Sequence, residues 1–271
     1  MKPKKTVSTY ILLTSAAVVM MLPIIWMLLG SLEPISEILS GRLIPNVLEL
    51  HNYAAPFAAQ PFGLYFLNSF FTTGSIVVCQ LVTSAFAAYG ILFTKARGRN
   101  VSFILVMVSL MIPIQAIFIP DYVILGALHW INTYQALIVP FIGTGFGIFF
   151  LRQAFLGIPT ALVEAMKVDG ASHWTILTRL VLPNSKASLI TLAILNGVFH
   201  YGYLFWPLLV TDTEQYRVIP IGLSYLAAAE HQITWNVIMA ASVMSVAPVV
   251  AVFLWGQRYL LKGGVFSGIK G

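Results

Sequence analysis

The chain has 271 residues, 59% of them hydrophobic and 9% charged, with a formal net charge of +6. Soluble domains carry roughly 25% charged residues, so composition excludes an ordinary soluble globule and points to an integral membrane protein made of helices. The basic residues are scattered between apolar runs rather than gathered in a stripe, which argues against nucleic acid. The single cysteine, Cys79, excludes an intrachain disulfide and a Cys-based zinc site.

A basic head, Met1-Lys-Pro-Lys-Lys5, precedes the first apolar run, residues 10–32. That run is too long for the apolar core of a signal peptide, about 7–15 residues, and is expected to be a retained span. Residues 33–64 hold several prolines and acids and read as an extramembrane loop with a short interfacial helix. The second span is expected over 67–93, where Gly74, Ser84, Ala85, Ala88 and Gly90 suit close helix packing. A basic turn, Lys95-Ala-Arg97-Gly-Arg99, leads to a third span over 101–125, interrupted by Pro113 and Pro120. Prolines there free carbonyls that neighbours or a wet cavity must satisfy. Gln115, between them, faces a polar path or makes a packing hydrogen bond. Residues 121–133 are expected as an outer loop and 134–155 as the fourth span, with Pro140 and a flexible Gly143-Thr-Gly145-Phe-Gly147. The fifth and sixth spans are expected over 187–210 and 235–261.

Between the fourth and fifth runs lies the one concentration of charge, the loop 156–186. Glu164, Lys167, Asp169, Arg179 and Lys186 fall there within a short stretch. Pro159 and Gly170 bracket a predicted two-turn helix with Thr160 as N-cap. Leu162, Ala165 and Met166 share an apolar face at i, i+3, i+4 spacing. A helix this short needs a packing partner. In the fifth run, Asn196, His200 and Tyr203 fall at i, i+4, i+7. Polar groups within a span face protein or water, so this face is a candidate solute path or a helix-packing contact.

With a cytoplasmic N-terminus and six crossings, only Arg42 and Arg217 of the 15 basic residues fall outside, a split of 13 to 2. The positive-inside rule selects that topology, with both termini and the loop 156–186 cytoplasmic. Glu164 and Asp169 are then the two inside acids, the other seven lying outside.

Glu164-Ala-Met-Lys-Val-Asp-Gly-Ala-Ser172, followed by Leu182-Pro183, resembles the EAA motif of ABC importer permease subunits. Asn68-Ser69, Ala87-Ala88-Tyr89, Ile112-Pro113, Ile119-Pro120, Phe150-Leu151-Arg152-Gln153, Trp206-Pro207-Leu208, Gln257-Arg258-Tyr259 and Gly268-Ile-Lys-Gly271 extend the resemblance over nearly the whole chain. It is closest to the carbohydrate-uptake, maltose-type second permease. Three departures stand out: Met166 for the usual second alanine, Ala187 for a proline, and Tyr201-Gly202 for a Trp-Asn pair.

The resemblance implies an all-α integral membrane protein of six transmembrane helices with the binding-protein-dependent (type I) ABC importer permease fold. It implies a bacterial or archaeal inner-membrane subunit that moves a sugar or sugar-like solute inward. Expected partners are a homologous second permease, an ATPase dimer carrying ATP and Mg, and an extracytoplasmic solute-binding protein, all in a lipid bilayer. The coupling helix would dock through Leu162, Glu164, Ala165, Met166, Asp169, Gly170 and Ala171. The proposed path residues are Asn196, His200, Tyr203 and Gln115. No cofactor, metal or catalytic site is expected in the chain itself: its nearest imitation of a P-loop, Gly263 to Lys270, lacks the required Gly-Lys-Ser/Thr. The alternatives are a glycerol-phosphate or polyol importer and, from another class, an ion-coupled secondary transporter, which ordinarily needs ionisable groups in its spans.

Overall fold

The structure, a computed structural model, describes residues 7–41, 44–228 and 234–263. Expectations placed on the basic head 1–5, Arg42, Glu230, His231 and the tail 264–271 lie outside these residues. Among the described residues every regular element is helical. In chain order the α-helices are α1 (Val7–Gly30), α2 (Ile35–Leu39), α3 (Ala55–Ala59), α4 (Phe62–Phe93), α5 (Arg99–Ser109), α6 (Phe118–Ala127), α7 (Tyr134–Ile138) and α8 (Gly145–Leu156). Then follow α9 (Thr160–Val168), α10 (His173–Ile176), α11 (Leu182–Asn184), α12 (Lys186–Tyr201), α13 (Phe205–Val210), α14 (Ile219–Ala228) and α15 (Trp235–Gly263).

The helices α1, α4 and α15 are single, long and apolar enough to cross a membrane. The other expected spans are broken, and the breaks have local causes. The third divides into α5 and the segment Ile114–Ala127, bent by 96°. Pro113 biases the residue before it away from helical backbone, so the chain turns there. Pro120 does not break anything, because it falls in the first turn of α6, where its missing N–H has no acceptor to lose. The expected outer loop 121–133 therefore begins late, and Asp121 lies inside a helix. The fourth span divides into Tyr134–Phe141 and α8, bent by 42°. The fifth consists of α12, ending at Tyr201, and the separate α13. Tyr203 therefore does not continue the helical face of Asn196 and His200.

By internal contacts the chain forms two units, Met1–Gly63 with Gly222–Pro248, and Leu64–Ile221 with Val249–Gly271. The first is tied by a buried polar knot. Asn52 donates to the Ser31 and Glu33 carbonyls at 3.1 and 3.0 Å. Asn236 donates to the Glu33 carbonyl at 3.2 Å and to Asn52 Oδ1 at 2.9 Å. These bonds satisfy carbonyls just beyond the end of α1 that have no helical partner.

The second unit carries two apolar clusters. Tyr89, Phe93, Leu151, Phe155, Ile176 and Leu192 anchor one. Ile76, Leu125, Leu137, Phe141, Trp206 and Val210 anchor the other. Gly147, expected to be flexible, is instead a buried contact in α8. A Cβ there would run into Ser84 Oγ, so glycine lets α8 approach α4 closely.

Candidate functional site

The loop after α8 folds onto the first cluster through a phase different from the one its spacing suggests. In α9, Val163 is 3% exposed and Met166 packs against the same cluster. The two are three residues apart and share the inward face. Leu162 is half-exposed, and Glu164, Ala165 and Val168 face away, Val168 at 88% exposure. The predicted Leu162–Ala165–Met166 face is thus split. Met166, the departure from the motif, fills this chain's own core. Val168 was missed by sequence reasoning, and its full exposure as a large aliphatic is what marks it.

Only the C-terminal end of α9 is fixed by a specific cap. Pro159, not Thr160, occupies the N-cap position, and it makes no side-chain cap. At the other end the Ala171 N–H donates to the Met166 carbonyl at 2.9 Å and the Gly170 N–H to the Lys167 carbonyl at 3.0 Å. This is a Schellman termination, which needs a left-handed residue, and Gly170 supplies it at φ +78°. Lys167 Nζ donates to the Phe93 carbonyl at 3.1 Å. A cation thereby meets the carboxyl end of α4, where the helix dipole favours it. Tyr89 Oη and His173 Nδ1 are 2.9 Å apart, a second tie between α4 and the loop. The next helix, α10, is capped by Ser172, whose Oγ accepts from the Thr175 N–H at 3.2 Å. Asp169 is the exposed C-cap residue of α9.

The second candidate site is a cavity of about 710 Å³ within the second unit, inside the range of about 300–1,000 Å³ usual for small-molecule sites. Its polar lining comes from Gln80 on α4, Ser109 on α5, Asp121 on α6, Thr144, and Asn196 and His200 on α12. The break in the fourth span organises these groups. Around Pro140 and Gly143 the helix is interrupted, and α4 satisfies two of the carbonyls there. Gln80 Nε2 donates to the Phe141 carbonyl at 2.8 Å, and Thr83 Oγ1 to the Ile142 carbonyl at 2.8 Å. Side chains of a neighbouring helix are one of the few ways to satisfy such groups in a membrane.

One backbone carbonyl then dictates the orientation of three side chains. Phe141 O can only accept, so the Gln80 amide must present its NH₂ there and turn Oε1 the other way. Asn196 must therefore point its own NH₂ at Gln80 Oε1, and it does so at 2.6 Å. The second hydrogen of Gln80 Nε2 faces His200 Nε2 at 3.1 Å. His200 Nε2 is then an acceptor, and the neutral ring carries its proton on Nδ1. Among the described residues Asn196 Oδ1 and His200 Nδ1–H have no partner, which leaves one acceptor and one donor.

Asn196 and His200 therefore come together as the sequence spacing suggests, with Gln80 as the unforeseen member. Tyr203 lies elsewhere. It borders a void of about 20 Å³ that shares Phe141, His200 and Trp206 with the cavity wall. Gln115 is exposed in the 3₁₀ turn Ile114–Ile117 and does not line the cavity.

A polar-lined cavity among broken apolar helices, with a rigid helix clamped to the end of one of them, is the equipment of a membrane transport protein. Residues 80–263 match the family described as binding-protein-dependent transport system inner membrane component, and the chain belongs to that family. It is 32% identical to the arabinooligosaccharides transport system permease protein AraQ of Halalkalibacterium halodurans over 94% of this chain and 93% of that one. It is 29% identical to the sn-glycerol-3-phosphate transport system permease protein UgpE of Yersinia enterocolitica, over 86% and 84% of the two chains. A bacterial ABC transporter involved in the import of the acidic polysaccharide alginate has the same fold, with a TM-score of 0.83 at 23% identity over 93% of this chain and 95% of that one. Family membership sets aside the ion-coupled alternative.

Proposed function

We propose that this chain is the sugar-translocating permease subunit of an ATP-driven importer, with α9 as its coupling helix and the 710 Å³ cavity as part of its solute route. It pairs with a second permease, two ATPase subunits that carry ATP and Mg, and an extracytoplasmic binding protein. Both termini and α9 lie on the cytoplasmic side. The chain does no bond chemistry. Closure of the ATPases shifts α9 and the loop with it, and the ties of Lys167 on α9 to Phe93 and of His173 on α10 to Tyr89 carry the shift through α4 to the cavity wall. The relatives named for arabinooligosaccharide and lactose transport support the sugar class.

The observation that carries the coupling role is the outward face of α9: Glu164, Ala165 and Val168, with Leu162 at its edge, on a helix fixed at its C-terminal end. An apolar strip with one rim charge fits a groove in a partner protein. Val168→Asp is expected to reduce co-purification of the ATPase subunits by about tenfold or more, a loss of roughly 1.4 kcal/mol or greater in docking. Glu164→Lys should act in the same direction. Neither change touches the core, so membrane insertion and thermal stability should match the parent. Val163→Asp, by contrast, places a charge in the first apolar cluster and should destabilise the loop itself. Full ATPase association and normal uptake in Val168→Asp and Glu164→Lys would remove the docking role.

A further inference from the structure

The cavity lining says more about the solute than its polarity. Nineteen of the described residues border it, and none of these is lysine or arginine. The one charged group among them is the Asp121 carboxylate, half-buried in the first turn of α6. An anion entering this space would meet a like charge at reduced dielectric, with no cation among the described lining residues to offset it. A neutral hydroxylated solute would meet matched partners instead. Asp121 accepts from hydroxyls, Asn196 Oδ1 accepts, and His200 Nδ1–H donates. The faces of Phe141, Phe199 and Trp206 supply apolar surface for its C–H groups.

We propose that the cavity is an anion-rejecting passage for neutral, multiply hydroxylated solutes, with Asp121 as its selectivity residue. The proposal rests on the cavity being the solute route. It separates this chain from carriers of anionic solutes, although a relative named for sn-glycerol-3-phosphate transport is 29% identical to it.

The test needs no knowledge of the natural solute. Cys79 is the sole cysteine and does not line the cavity, so Cys79→Ser gives a thiol-free background. Thr144→Cys then places one thiol in the wall. The assembled transporter in nanodiscs is labelled with a trimethylammonium-ethyl and a sulfonatoethyl methanethiosulfonate, and the ratio of rates is normalised to that for a small free thiol. The cationic reagent should be favoured at least about tenfold, and Asp121→Asn should bring the ratio back to within about twofold of the free thiol. A normalised ratio near one, or a preference that survives Asp121→Asn, overturns the proposal. The same samples test the route separately. Labelling should change at least about fivefold between the nucleotide-free and vanadate-trapped transporter, because a route opens to each side in turn. Equal rates in the two states with an intact charge ratio would refute the route; a state-dependent rate with a flat ratio would refute only the selectivity.

Discussion

Replacing Gly170 by proline should abolish uptake while leaving the helices inserted in the membrane. Gly170 sits at φ +78°, whereas the proline ring fixes φ near −65°, so the left-handed turn cannot form. The substitution also removes the N–H that donates to the Lys167 carbonyl. It further biases Asp169, now at φ −72° and ψ 4°, away from near-helical backbone. The combined local cost is about 3 kcal/mol or more, and α9 has only nine residues to absorb it. A helix of that length has almost no stability of its own. Unwinding its last turn would release Met166 from the core and displace Val168 from the docking face. Gly170→Ala should be much milder. No atom would crowd the added Cβ, so its cost is the left-handed backbone alone, about 1–2 kcal/mol. Uptake, ATPase co-purification and the amount of inserted protein, measured on both variants, check this. Wild-type uptake in Gly170→Pro, or equal losses in the two variants, would show that the turn does not hold the coupling helix.

The contrast between these sites shows which features the sequence makes visible. Gly170 was legible because a glycine just after a short helix has a specific backbone use. The helical class and the three unbroken spans were legible from run length. The phase of α9 was not. Apolar residues at 162, 163, 165, 166 and 168 surround the helix almost evenly, so spacing alone cannot decide which of them turn inward. Asp121 was hidden by its neighbour, since Pro120 followed by an acid reads as a loop start, and only the earlier break at Pro113 makes room for a new helix. Gln80 was hidden for a deeper reason. Its principal partner is the Phe141 backbone carbonyl, which no side-chain pattern reports. The available signal was indirect: a lone glutamine in a long apolar run, and a distant Pro140-Gly143 break needing a donor. Tyr203 fell out of register because α12 ends at Tyr201, with Gly202 as its C-cap.

Gln80→Leu should be the most damaging conservative-volume change in the cavity wall. It removes three interactions together, those with the Phe141 carbonyl, Asn196 and His200. Interhelical hydrogen bonds within membranes contribute about 0.6 kcal/mol on average and up to about 1.7, so three together come to about 2–5 kcal/mol. The orphaned Phe141 carbonyl adds to this, because the break in its own helix leaves it no other donor and burial of an unpaired group costs about 1–3 kcal/mol. Asn196→Leu removes only one bond and strands only Gln80 Oε1, so it should cost about 1–2 kcal/mol. Once Gln80 is leucine, Asn196 has lost its partner, and the second substitution should add little. The double variant should therefore be less destabilised than the sum of the two singles by about 0.6–1.7 kcal/mol. Gln80→Glu separates shape from hydrogen bonding. It keeps the volume, but an ionised carboxylate would face the Phe141 oxygen and meet His200 Nε2 only if that ring took up a proton. Thermal unfolding of the detergent-solubilised transporter, with uptake measured in parallel, distinguishes these cases. If Gln80→Leu and Asn196→Leu were equally mild and strictly additive, the Phe141 carbonyl would not be the organiser of this wall.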